Sequence, residues 1–99
     1  MRFTDFFKQV YVDKLPNNIT VNYRDDYSDT NNLGALSGVD IDSDLYAGYI
    51  YYWENGHLDF MVYNLKDDKD EIPITVIDTK DFKNEAIILK VLKYFTDLE

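Results

Sequence analysis

Residues 45–65, LYAGYIYYWENGHLDFMVYNL, hold two aromatic strands joined at Asn55-Gly56. Asn-Gly suits a two-residue type I′ turn, because both central residues need positive φ. With Glu54 and His57 flanking that turn, counting sets the register: Trp53 opposes Leu58, Tyr51 opposes Phe60 and Tyr49 opposes Val62. That face is apolar or aromatic throughout, as a face packed on helices must be. The other face pairs Tyr52 with Asp59, Ile50 with Met61, Gly48 with Tyr63 and Tyr46 with Leu65. A slip of one residue exchanges the faces, so the assignment hangs on the turn.

Outward from the hairpin, Val39 and Ile41 alternate with Asp40 and Asp42, and Ile19, Val21 and Tyr23 alternate with Thr20 and Asn22. Both runs read as half-buried strands. Between them the run from Arg24 to Gly34, RDDYSDTNNLG, has little to bury and many turn formers, which predicts an exposed loop. After the charged connection Lys66–Asp70, Glu71–Asp78 supplies a fifth strand, placed at an edge by Pro73, which lacks a donor. Residues 4–14 predict a helix with Phe3, Phe6, Phe7, Val10 and Tyr11 along one side, capped by Thr4 and stopped before Pro16. A last helix, to about Leu98, sets Ile87, Ile88, Val91, Tyr94, Phe95 and Leu98 on one arc. Asp78, Thr79 and Asp81 are its candidate caps. The fold expected is α+β: one domain over residues 1–99, with an antiparallel meander of about five strands and both terminal helices packed on one face.

Ninety-nine residues suffice for a single core, and 45% hydrophobic content is too apolar for disorder even with 29% charged residues. The chain has no cysteine, so disulfides and thiolate metal sites are excluded, which fits a reducing compartment. Met1-Arg2-Phe3-Thr4-Asp5 opens without the apolar run of a signal peptide, and no segment is long enough to span a bilayer, so a cytoplasmic location is expected. The net charge of −9 opposes direct binding to nucleic acid or anionic membrane and is compatible with a basic protein partner.

Little in the chain points to catalysis. The single histidine, His57, sits at the turn with no nucleophile motif beside it, and the four glycines match no phosphate-binding loop. Asp40, Asp42 and Asp44 begin like a calcium loop, but Leu45 stands where glycine is required and Tyr51 where glutamate is required. On a strand their spacing puts the three carboxylates on one side, about 6.7 Å apart. That arrangement reads as a solvated acidic edge, with a weak divalent site as the alternative. No cofactor is expected.

The remaining candidate is the second face of the hairpin. Tyr46, Ile50, Tyr52, Met61 and Tyr63 form an apolar patch there, edged by Asp59 and the aspartates at 40 to 44. Contiguous apolar surface marks an interface. Three outcomes fit it: a heterologous partner, a homodimer, or cover by the chain's own loop from Arg24 to Gly34.

Val39–Leu65, with its acidic strand Asp40-Ile41-Asp42-Ser43, the signature Trp53-Glu54-Asn55-Gly56 and Asp59 after it, resembles small immunity proteins of bacterial polymorphic-toxin systems, in particular the TriTu-type family. A C-terminal helix closing on an aromatic-leucine pattern is similar too, so the likeness covers roughly half the chain. The chain departs from that family in its tyrosine-rich strands and its longer loop of asparagine and aspartate. The resemblance implies a non-catalytic cytoplasmic antidote that binds one cognate toxin and blocks its active site. Many such toxins carry basic clefts, which an acidic, tyrosine-bearing surface complements. The contacts expected are Asp40, Asp42, Asp44, Tyr46, Tyr52, Asp59 and Tyr63, with Trp53 in the core. The rival readings are a DNA mimic, a homodimeric interaction domain, and a small enzyme with a pocket of carboxylates of raised pKa.

Overall fold

A computed structural model of the chain describes residues 1–26 and 34–96. The elements are α1 (Phe3–Val10), a 3₁₀ turn (Val12–Lys14), β1 (Thr20–Asp26), β2 (Leu36–Asp42), β3 (Tyr46–Trp53), β4 (His57–Asn64), β5 (Lys69–Asp78) and α2 (Glu85–Leu92). The strands form one antiparallel sheet in the order β1-β2-β3-β4-β5. This is the α+β meander with two terminal helices that the hydrophobic pattern predicts. Pro73 lies on β5, an edge strand.

The first helix is shorter than its periodicity predicts. It ends at Val10 and tightens into the 3₁₀ turn, and Leu15 before Pro16 is extended at φ −88° and ψ 141°. Thr4 does not cap it. Its side chain is buried and donates to the Asp25 carboxylate at 3.0 Å, while Asp5 accepts from the Arg2 backbone N–H. None of the three expected caps serves α2 either: the Asn84 side chain accepts from the Ile87 N–H at 3.3 Å. Of the expected loop, Arg24–Asp26 belong to β1, and residues 27–33, on which any cover of the patch depends, lie outside the described residues.

The hairpin register differs by one residue on one strand. Gly56, at φ +101°, donates its N–H to the Trp53 carbonyl at 2.8 Å, and Trp53 pairs with His57. The turn therefore holds three residues, Glu54-Asn55-Gly56, with glycine in the left-handed position such a turn requires. On β4 the faces are as expected. On β3 they are exchanged, so Ile50 opposes Phe60, Tyr52 opposes Leu58 and Gly48 opposes Val62 on the core side.

That core side carries Val39, Ile41, Ile50, Leu58, Phe60, Val62 and Ile72, all buried beneath Phe3, Phe7 and Tyr11 at one end and Ile88, Val91, Leu92 and Phe95 at the other. Both helices thus spend their apolar stripes on the same face of the sheet. The opposite face carries neither.

Candidate functional site

On the helix-free face, β3 presents Tyr49, Tyr51 and Trp53, β4 presents His57, Asp59, Met61 and Tyr63, and β2 presents Gly38, Asp40 and Asp42. The geometry follows from the ladder. Asp40 lies directly across from Tyr49, and Asp59 directly across from Tyr51. The hydroxyls cross over: Tyr49 donates to Asp59 at 2.8 Å, and Tyr51 donates to Asp40. The two rings stack at 4.2 Å between centroids and 17° between planes, leaning to opposite sides.

Gly38 makes the lean of Tyr51 feasible. A Cβ at that position would stand 2.5 Å from Tyr51 Cδ1 and 2.5 Å from the Ile50 carbonyl oxygen. With glycine there, the ring lies across β2 and reaches Asp40. Arg24, which pairs with Gly38 on β1, completes this half. It donates from Nη1 to the Tyr51 hydroxyl at 3.0 Å, its Nε lies 3.9 Å from Asp40, and its guanidinium sits 5.6 Å from the ring centroid.

Burial pushes the Tyr49 phenol well above its ordinary value of 10.0, and the bond to Asp59 pushes it further. Tyr51 is raised by burial and by Asp40, with Arg24 opposing. Both rings are therefore neutral donors at physiological pH, and both carboxylates are held as acceptors. Beyond Asp59, β5 contributes no counterpart to Arg24. Val76, its ladder partner, is 54% exposed and Ile74 is 72% exposed.

At the turn end, Trp53 lies on this face and not in the core where the sequence placed it. Its indole Nε1 is shielded from solvent and meets no acceptor among the described residues. His57 Nδ1 lies 2.7 Å from Asp78 Oδ1, without hydrogen-bond alignment, an ion pair when the ring is protonated.

Of the residues singled out from sequence, Asp40, Asp59 and Tyr63 share this face, and exposed Asp42 extends it at one end. Asp44 lies beyond the end of β2, so it does not continue the row of carboxylates. Among the described residues no three histidine, cysteine or acidic side chains gather as metal ligands. Tyr46 and Tyr52 belong to the helix-covered face, because the register is shifted on β3. Tyr46 packs edge-on against Tyr94 at 5.5 Å, and Tyr52 lies against Phe82 at 5.5 Å. Ile50, assigned from sequence to the open patch, is fully buried. In their place stand Tyr49, Tyr51 and Trp53, and Arg24, which the sequence assigned to a loop. A hollow of about 150 Å³ beside the start of α1, lined by Phe3, Leu36, Tyr52 and Phe82, belongs to the other side of the sheet.

No helix among the described residues is long and apolar enough to cross a membrane. Comparison with protein-family models, curated proteins and solved structures finds no match to this chain.

Proposed function

We propose that this chain is a non-catalytic binding protein of the immunity type, acting in the cytoplasm, which neutralises a cognate toxin by seating a basic surface of that toxin on the helix-free face of its sheet. The supporting observation is the Tyr49–Tyr51 stack with its hydroxyls fixed on Asp59 and Asp40. Tyrosines held in one rotamer by stacking and by charge-assisted bonds present contact area at little further entropy cost. Stacked tyrosines at the centre of a face, with carboxylates around them and a tryptophan at its turn end, suit a binding hot spot for a cationic partner. The net charge of −9 adds long-range attraction to such a partner. The partner's being a toxin rests on the sequence resemblance.

The contacts are Asp40, Asp42, Asp59 and Tyr63, as expected from sequence, joined by Tyr49, Tyr51 and Trp53 in place of Tyr46 and Tyr52. The test is co-expression with the protein encoded in the neighbouring reading frame, followed by calorimetry of the purified pair. The wild-type chain should restore growth and bind one-to-one. Tyr49→Ala with Asp59→Ala should weaken binding by about two orders of magnitude, as hot-spot truncations do, with the fold retained at a lower melting temperature because the bond and the ring stack are lost. Unchanged binding by that double variant would move the interface elsewhere. Competition with duplex DNA on several unrelated DNA-binding proteins would identify a DNA mimic instead.

A further inference from the structure

The helix-free face contains one occupied cation site and the outline of a second. In the first, a tyrosine hydroxyl bonded to an aspartate receives a guanidinium: Tyr51 and Asp40 hold Arg24, with the bond at 3.0 Å and the charge contact at 3.9 Å. Across the stacked rings the same pair of groups recurs in the opposite sense, Tyr49 bonded to Asp59 at 2.8 Å. The two halves are related by the local symmetry of antiparallel strands, each aspartate lying across the ladder from the other half's tyrosine. Arg24 reaches its half from β1, one strand beyond Asp40. The equivalent strand beyond Asp59 is β5. Arg24 lies across from Gly38, and the position that answers to Gly38 is Met61, opposite which the β4–β5 ladder shifts register, while Val76 pairs with Asp59 itself. Among the described residues no cationic side chain meets Asp59.

We propose that the Tyr49–Asp59 half receives an arginine side chain from the protein partner, bound as Arg24 is bound in the other half. This deepens the function proposed above and rests on it for the source of the arginine. The guanidinium donates to the Tyr49 hydroxyl and approaches the free carboxylate oxygen of Asp59. Its aliphatic stem lies along Val76 and Ile74, which are exposed on an edge strand. Arginine is favoured over lysine because its planar fork can serve hydroxyl and carboxylate together, as Arg24 does.

The experiment needs no toxin. Acetyl-Gly-Arg-Gly-amide is titrated into the isotopically labelled chain, with its lysine and citrulline counterparts as controls, and nuclear magnetic resonance shifts are followed residue by residue. The arginine peptide should shift Tyr49, Asp59 and Val76 saturably, the lysine peptide should bind several-fold more weakly, and the citrulline peptide should leave them unmoved. Asp59→Asn should weaken the arginine peptide about fivefold, the loss of one partly exposed charged contact. Val76→Arg, which sets a competing guanidinium directly across from Asp59, should abolish the shifts while the fold persists. Equal shifts at Asp42 and Asp44 would mean diffuse attraction and overturn the site, as would equal binding of citrulline or no shift at all. An intact toxin complex with a silent peptide titration would overturn this site alone. Specific peptide binding with no toxin bound at this face would leave the cation site standing and remove its assigned partner.

Discussion

At the scale of single residues, the helix-free face is held by two phenols that must stay protonated. Tyr49 and Tyr51 are raised above 10.0, by burial first and by their aspartates next. A phenol whose pKa is higher folded than unfolded stabilises the fold fully below its unfolded value, and that contribution is lost as pH rises above it. Stability should therefore be flat in this respect up to about pH 9 and fall above pH 10, with tyrosinate absorbance lagging in the native state. Tyr49→Phe should remove part of that alkaline slope and cost about 1 kcal/mol at neutral pH, the usual worth of one hydrogen bond; denaturant melts from pH 7 to 11 measure both. Gly38 gives a test whose sign is unusual. Glycine inside a strand normally costs 0.5–1 kcal/mol relative to alanine, in round figures of about that size. Here the added Cβ meets Tyr51 Cδ1 and a backbone oxygen at 2.5 Å. Gly38→Ala should destabilise by about 1–3 kcal/mol, as overpacking does, and release Tyr51 from Asp40 and Arg24, seen as a lower phenol titration.

At the scale of elements, the hairpin shows what the sequence can and cannot specify. The alternation of β4 is legible, since Leu58, Phe60 and Val62 are apolar and His57 and Asp59 are not. On β3 tyrosine or tryptophan stands at 46, 49, 51, 52 and 53, so both faces look apolar and periodicity does not choose between them. Ile50 is the one aliphatic residue of size in that strand, and it marks the buried side. The Asn-Gly pair fits a two-residue turn equally well by composition. In the three-residue turn Glu54 donates its N–H to the Ala35 carbonyl at 2.8 Å, a bond to a neighbouring strand's approach that no local rule foresees. The candidate site was legible in its acidic half for the same reason: Asp40 and Asp59 lie on strands with clear alternation, whereas the tyrosines were assigned from the ambiguous strand. Arg24 was missed because RDDYSDTNNLG reads as loop throughout, yet its first three residues pair with β2. Two substitutions probe these elements. Gly56→Ala at φ +101° should cost about 1 kcal/mol, and Asn84→Ala should cost about 1 kcal/mol by removing the only side-chain cap seen on α2 among the described residues; thermal melts read each.

At the scale of the whole molecule, the sheet divides labour between its faces, and the division can be measured. Phe60 is buried under the helices, so Phe60→Ala should cost about 3–5 kcal/mol in denaturant melts, while substitutions among Tyr49, Asp59 and Val76 should act on binding far more than on folding. The charge acts at longer range than either. With nineteen acidic against ten basic residues, the field around the chain extends over a screening length of about 10 Å at 0.1 M salt. In the proposed complex its effect belongs to the encounter, and the stacked tyrosines hold the docked contact. Stopped-flow association with a basic partner should therefore slow by about tenfold or more between 0.02 and 0.5 M salt, while dissociation changes little. Asp44→Asn, exposed and beyond the end of β2, should lower the association rate alone. Tyr49→Ala should instead speed dissociation. If salt and the Asp44 substitution were to alter dissociation as strongly as association, the acidic rim would be part of the packed contact, and the tyrosine pair would not be its centre.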